Sequence, residues 1–518
     1  MGQPTHRMRV VNEDASSRSV GSSVDIRERV VDGVRVLHFP EDSGRTAATL
    51  IFGVGARDET LPTLGTLHAL EHAVMAGVRR TPIDINGGVG ISTTQFTASG
   101  SPEHVSAFLT GVCGGLADPP IDRLAHEARV LQAEGEGDRP ASSPAAVVRY
   151  GFRGLGVIDG PGPGPSGVQG QSVRAAAARW FVAANALLVI EGVCPDDLHL
   201  PLPVGPRPPH AEVPIRHVTQ PSAVTMDGPA CELNFVMPAE PAVLTRLAAT
   251  VLDDRLTEVL RHELGLVYTL DIDPIRTLDG YDMTVRTDPT PGRVRDCVRA
   301  MVGATGTLLT DGPTEVEVEH ARAVMCESMS GRDAKIGDRV DAAIAQLIGL
   351  EALPVNVDDV AGCTRDQVTS HLGSIATDLI YVVDAIVEPD LASLGLELIE
   401  PGRTTTGPLP AGEVFRPPLI ALARAKEARA SRVALTSTGL AHAYDGRLQQ
   451  LTWAEVAGVM RDEDGDLVVF GRDGQAIPVG PTMYKKGQRL VDVTLSHVAG
   501  DLVYDAPSDT DADHPGPM

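Results

Sequence analysis

Lysine is almost missing from this chain. Lys335, Lys426, Lys485 and Lys486 are the only ones in 518 residues, so arginine supplies nearly all of a positive total of 44 against 69 acidic residues. The resulting net charge of −25 repels a phosphate backbone and an anionic bilayer surface, which argues against nucleic-acid or membrane-surface partners. Aromatic residues make up only 3% of the chain, too few for base-stacking platforms. The six cysteines, Cys113, Cys194, Cys231, Cys297, Cys326 and Cys363, show no CxxC spacing and are too sparse for a disulfide framework. They read as reduced core residues, and the expected location is cytoplasmic. No apolar run approaches the roughly 18 residues of a membrane span, and the opening MGQPTHRMRVVNEDASSRS lacks the apolar core of a signal peptide. What remains is ordinary for a globular protein: 42% hydrophobic and 22% charged residues, with length for about three or four domains.

Residues 1–27 are polar and aperiodic and are expected to form a flexible arm. A first unit over 28–200 alternates strands (34–39, 47–56, 186–193) with helices near 64–77, 102–117, 120–137 and 172–183, the pattern of a two-layer α/β unit. The polar, Thr-rich segment 90–99 reads as an edge strand, and the Gly/Pro run 159–170 as loop. A Pro-rich linker occupies 201–221. The second unit, 222–402, repeats the plan: AHEARVLQAE (125–134) sits opposite VEHARAVMCE (318–327), and ANALLVIEGVCPDD (184–197) opposite TDLIYVVDAIVEPD (377–390). After a second linker (403–430) and a short helix, residues 431–505 read as short strands with Asp-Gly turns and one amphipathic helix over 490–500. The tail 506–518 is acidic and of disordered composition.

The sharpest chemical signal is His68-Ala69-Leu70-Glu71-His72. On a helix, positions i and i+4 share a face, so both imidazoles reach one ion, and two imidazoles suit zinc. Glu71 adjoins them without needing to be a ligand, which is the place for a general base. The bland alternative is a surface helix with two solvated histidines. Catalytic zinc takes three protein ligands, and Glu127 and Glu134 lie two turns apart on one face of a later helix. One is suited to coordinate and the other to hold an imidazole from behind.

The stretch VGARDETLPTLGTLHALEHAVMAG (54–77) resembles the pitrilysin family of inverzincin metallopeptidases, and HEARVLQAE (126–134) resembles the family's second signature. The resemblance spans about 28–400 and implies an α+β fold with two homologous two-layer α/β domains, one half of a clamshell. It implies His68, His72 and Glu134 as Zn2+ ligands, Glu71 as base and Glu127 as auxiliary acid. LRHELGLVYT (260–269) resembles the family's Arg/Tyr pair in the non-metal domain, so Arg261 and Tyr268 would contact the peptide and its developing oxyanion. Three departures stand out. The spacing from His72 to Glu134 is short, with a helix trimmed at 78–90; GISTTQFT replaces the family's edge strand; and the Gly/Pro run replaces another loop.

The C-terminal segment 431–505 resembles a small β-rich, pleckstrin-homology (PH)-like domain, carried by ALTSTGLAHAYDG (434–446), LTWAEVAGV (451–459) and LVVFGRDGQAIPV (467–479). The function implied is zinc-dependent endopeptidase activity on short or unfolded peptides in a chamber closed by two halves. The chain would act as a homodimer or as a heterodimer with a related subunit. The alternatives are a non-catalytic scaffold subunit and a leader-peptide-processing protease of a biosynthetic pathway.

Overall fold

The structure, a computed structural model, describes residues 25–78, 82–134, 143–418 and 431–507. The N-terminal arm and the acidic tail therefore lie outside the described residues apart from their inner ends, as does the short helix expected before residue 431.

The first sheet consists of β1 (Arg27–Val31), β2 (Val34–Phe39), β3 (Thr46–Phe52), β4 (Asp84–Val89), β5 (Thr94–Gly100) and β6 (Ala186–Gly192). Its order is β1-β2-β6-β3-β5-β4. β6 reads ALLVIEG because both of its faces are covered. Leu188 and Ile190 enter a core with α1 (Thr66–Gly77), α2 (Pro102–Ala117) and the helix Gly170–Trp180, while Leu187 and Val189 enter a separate core on the other face. The expected edge strand over 90–99 sits one place inward: residues 94–100 form β5, paired on both sides. The edge is β4, DINGGV, in the stretch read as a trimmed helix. Asparagine and paired glycines favour neither helix nor strand, so only pairing with β5, from Asp84↔Ser99 to Val89↔Thr94, makes this segment extended. The 159–170 run is loop except for one helical turn at Gly164–Gly167 and its last residue, Gly170, which opens the next helix.

The second sheet holds β7 (Ser222–Met226), β8 (Cys231–Pro238), β9 (Val267–Arg276), β10 (Gly280–Pro289), β11 (Leu379–Asp384) and the short β12 (Glu397–Leu398). The order β7-β11-β8-β10-β9 repeats β2-β6-β3-β5-β4, with the first pair parallel in each. The duplication expected from the sequence is therefore present: α3 (Leu124–Glu134) answers to the helix Glu315–Ser328, and β6 to β11. The fold is mixed α/β in two similar halves, and none of the sheets described closes into a barrel.

The halves exchange helices. α4 (Pro144–Tyr150) puts Ala145 and Val148 on the outer face of the second sheet, against Val224, Ile380 and Val382. The helix Gly331–Leu347 puts Ile336, Val340 and Leu347 on the outer face of the first, against Leu37, Ile51 and Leu187. Next to Val148, Arg149 is 1% exposed. Its guanidinium donates to Asp378 Oδ1 at 2.8 Å, to the Asp378 carbonyl at 3.0 Å and to Asn234 Oδ1. Asp378 also accepts from the backbone N–H of Val218 (2.8 Å) and faces His217 Nδ1 (2.7 Å), and Tyr150 donates to Asp282 Oδ2 at 2.9 Å.

The C-terminal strands form two further sheets. Arg432–Leu435, Gly439–Tyr444 and Arg447–Thr452 are joined at the edges by Thr404–Thr405 and Glu413–Phe415, both from the stretch expected to be a linker. Val456–Arg461, Leu467–Gly471, Ala476–Val479 and Val503–Asp505 make the other sheet, and the helix Gly487–His497 closes the core between them. Phe470 and Tyr504 pack on Ala56, Leu61, Val157 and Ile158 of the first half. Removing one partner of a buried ion pair strands the other charge. Asp378→Ala is therefore expected to lower the unfolding free energy by about 3–5 kcal/mol, measured by urea denaturation. A loss within error would show that Arg149 does not depend on Asp378.

Candidate metal centre

α1 carries the His-x-x-Glu-His sequence, and its apolar side (Leu67, Leu70, Val74) is buried against the first sheet. Its N-cap is Gly65 at φ 89°, with no side-chain cap of its own. Glu59, from the preceding loop, takes that role: its carboxylate accepts the backbone N–H of Gly65 (3.0 Å) and of Leu67 (2.8 Å).

His68 and His72 stand one turn apart, with ring centroids at 4.8 Å and planes at 80°. Ligand-capable atoms of His68, Glu71 and His72 all lie within 4.8 Å of one another. α3 brings two more carboxylates to His72. Glu134 Oε2 is 3.3 Å and Glu71 Oε2 3.7 Å from Nε2, while Glu127 Oε2 is 4.0 Å from Nδ1. The two ring nitrogens thus face different acids: Nε2 points toward Glu71 and Glu134, Nδ1 toward Glu127. Glu127 is 5% exposed, and its Oε1 is buried without a hydrogen-bond partner, with Arg123 Nη2 at 3.5 Å. Glu71 is also 5% exposed, and its carboxyl is pushed up to about 8, first by burial and then by the charges of Glu134 and Glu127.

Two imidazoles and three carboxylates, one with an orphaned buried oxygen, form an N/O donor set that fits a divalent cation of the zinc type. β4 closes the site from the sheet side. A Cβ at Gly87 would run into the Glu71 carboxylate, so glycine is what lets the edge strand lie against it.

Arg261 and Tyr268 belong to the second half. Arg261 lies within the π-helical turn Glu258–Glu263, Tyr268 is the second residue of β9 and is 74% exposed, and the guanidinium carbon sits 5.3 Å from the tyrosine ring centroid. They pair with each other, not with the carboxylates gathered at His72. The sequence reading missed Glu59 and Gly87. A Gly-Gly pair inside a strand signals close approach, but Gly87 and Gly88 lie in a stretch that does not read as strand, so that signal was hidden; nothing local marked Glu59 as a cap for the helix that follows.

No protein-family model and no curated protein matches this sequence. Solved structures do. The chain is similar to an inactive M16 peptidase domain from Pseudomonas fluorescens at 16% identity, covering 69% of this chain and 97% of that one, TM-score 0.55. It is similar to a protease from Helicobacter pylori at 13% identity, covering 70% and 99%, TM-score 0.54. It is also similar to a chain of complex III2 from Candida albicans at 11% identity, covering 72% and 100%, TM-score 0.53. These likenesses establish the fold, that of M16 peptidase half-clamshells.

Glu59 makes the site pH-dependent. Burial pushes its carboxyl up to about 7 against the pull of the α1 amides, from 4.5 for a free side chain. A folded value above the unfolded one means that stability is fully present below about 4.5 and is lost as pH rises through about 7. The loss amounts to roughly 3 kcal/mol. The stability difference between wild type and Glu59→Gln should shrink by that amount from pH 4.5 to 7, followed by denaturant titration at each pH. A constant difference would exclude Glu59 as the titrating group.

Proposed function

We propose that this chain is a zinc-dependent endopeptidase that cleaves short or unfolded peptides. The observation that carries this is the meeting of α1 and α3, which places Glu134 at 3.3 Å from the same His72 nitrogen that faces Glu71. His68, His72 and Glu134 are the residues that would hold the ion. Bound there, zinc would supply Lewis acidity, lowering the pKa of a water and polarising the peptide carbonyl. Glu71 takes the proton of the attacking water on its carboxylate and passes it to the leaving amine; a carboxyl that burial inclines to hold a proton suits that shuttle. Glu127, on the Nδ1 side of His72, steadies the ring. The free edge of β4, which lies on Glu71 through Gly87, offers an extended peptide main-chain hydrogen bonds with little sequence demand.

Arg261 and Tyr268 serve the oxyanion side from another copy of the chain or a related subunit. The exposure of Tyr268, and the pairing of the two with each other, support a two-part assembly. We take 28–200 and 222–402 as the two halves; the third module, expected over 431–505 and taken as PH-like, also draws in the strands 404–405 and 413–415. Its four-stranded sheet is already committed to the first half, so the module acts first as a brace. No helix among the described residues is long and apolar enough to cross a membrane. A non-catalytic subunit, the second reading, has the inactive M16 domain and the complex III2 chain as fold neighbours; the intact acid and imidazole set weighs against it.

Metal analysis and hydrolysis of a quenched peptide library test the assignment together. Glu71→Gln should keep its zinc and lose about 100-fold or more in turnover, whereas Glu134→Gln should lose zinc. Zinc lost from Glu71→Gln would make Glu71 a ligand instead of the base. A zinc-free wild type with no hydrolysis would leave the non-catalytic reading.

A further inference from the structure

A cavity of about 650 Å3 opens on the seam between the two halves, beside the loop that leads into α1. Its walls come from residues 57–60, 150, 152–155, 179–180, 207–213, 277–279 and 348–350. Four arginines reach it. Arg153 has a carboxylate partner, Asp473 at 2.9 Å. Among the described residues, the other three have none at ion-pair distance. Arg57 donates to the Arg276 carbonyl (3.3 Å), Arg207 to the carbonyls of Ala184 (3.1 Å) and Gln346 (2.8 Å), and Arg179 lies 4.7 Å over the Trp180 ring. A guanidinium has five N–H donors, so most of theirs remain unspent. In a chain with 25 excess negative charges, three guanidiniums around one cavity with no carboxylate at ion-pair distance among the described residues call for an explanation.

The acids of the wall are engaged elsewhere or stand at its rim. Asp58 accepts the Gly55 N–H at 2.9 Å and faces His210 Nδ1 at 2.8 Å, Glu59 is turned to the α1 amides, and Glu212 and Asp279 are exposed. His210 stacks toward Trp180 (centroids 5.5 Å apart, planes at 30°), and its Nε2 is buried with no partner. Burial also pulls the Arg57 guanidinium below its usual value, against the pull of the neighbouring Asp58 charge.

We propose that this cavity binds an oxyanion, a carboxylate or phosphate, gripped by Arg57, Arg179 and Arg207 with His210 Nε2 as a further polar contact, and with the ligand body against Trp180 and Phe152. Forked guanidiniums match the paired oxygens of both groups, and the partial burial of Arg57 strengthens its charge-assisted bond, while Arg179 and Arg207 reach the cavity from its exposed side. The oxyanion belongs either to a small molecule or to the C-terminus of a peptide. The assignment does not depend on the metal centre.

Calorimetric titration of the full chain tests it with three probes: inorganic phosphate, a short peptide with a free C-terminus, and the same peptide amidated. Phosphate binding with the two peptides alike assigns a small-molecule oxyanion; binding of the free-acid peptide over its amide assigns a peptide terminus. In either case Arg179→Ala, which takes from the free protein only the guanidinium stacked on the Trp180 ring, should weaken binding about tenfold, and Arg179→Ala with Arg207→Ala further. Unchanged melting of Arg179→Ala in anion-free buffer shows that the fold is kept. No binding of phosphate or of the free-acid peptide, or binding that neither variant weakens, overturns the proposal.

Discussion

Each of the two large sheets has two apolar faces, and the helices of its own half cover only one of them. The remaining face is covered by a helix from the other half: α4 on the second sheet and Gly331–Leu347 on the first. Neither half is complete alone, because removing either helix would return a row of Val, Leu and Ile side chains to water. This reciprocity explains the central strands β6 and β11, which are apolar on both faces. It also explains why an arginine is tolerated at the end of α4, where Asp378, Asn234 and the carbonyls around them meet its donors. The two halves are held as one body, and the stretch 201–221 is pinned along the seam instead of hanging free, through Arg207, His210 and His217.

Within that body, the centre on α1 and α3 is an electrostatic problem with a cation as its natural solution. Three carboxylates are gathered around one imidazole in a protein already rich in negative charge. Without a positive charge among them, Glu71 is driven to hold a proton. With one, the same crowding becomes affinity. The carboxylates differ in placement. Glu71 is sealed beneath β4, while Glu134 comes from the end of α3 with its side chain 31% exposed.

The C-terminal strands contribute to this placement from outside. Phe470 and Tyr504 press on Ala56 and Leu61, immediately before α1, and Phe152 meets Phe470 edge to face at 5.3 Å. Together with Glu59 at the helix start and β4 over Glu71, they hold α1 at its entry and along the face that carries His68, Glu71 and His72. Phe152 also lines the arginine-rich cavity on the seam, so one aromatic wall separates the module from that cavity.

Much of this was legible in the chain. The His68/His72 spacing and the Glu127/Glu134 spacing are helical periods, and the doubled strand–helix order showed the two halves. The edge strand was misplaced by one position, because Asn86, Gly87 and Gly88 carry no strand signal of their own and become extended only by pairing with β5. The segments 404–405 and 413–415 looked like linker for the same reason: their strand character comes from their neighbours. The sequence alone determined which side chains share a helix face, since that follows from 1.5 Å and about 100° per residue wherever a helix forms. Tertiary structure decided that α3 lies against α1, that Gly87 lies on Glu71, and that Arg261 and Tyr268 pair with each other in the second half, because such meetings depend on how sheets and exchanged helices pack over long stretches of chain, and no local period encodes that.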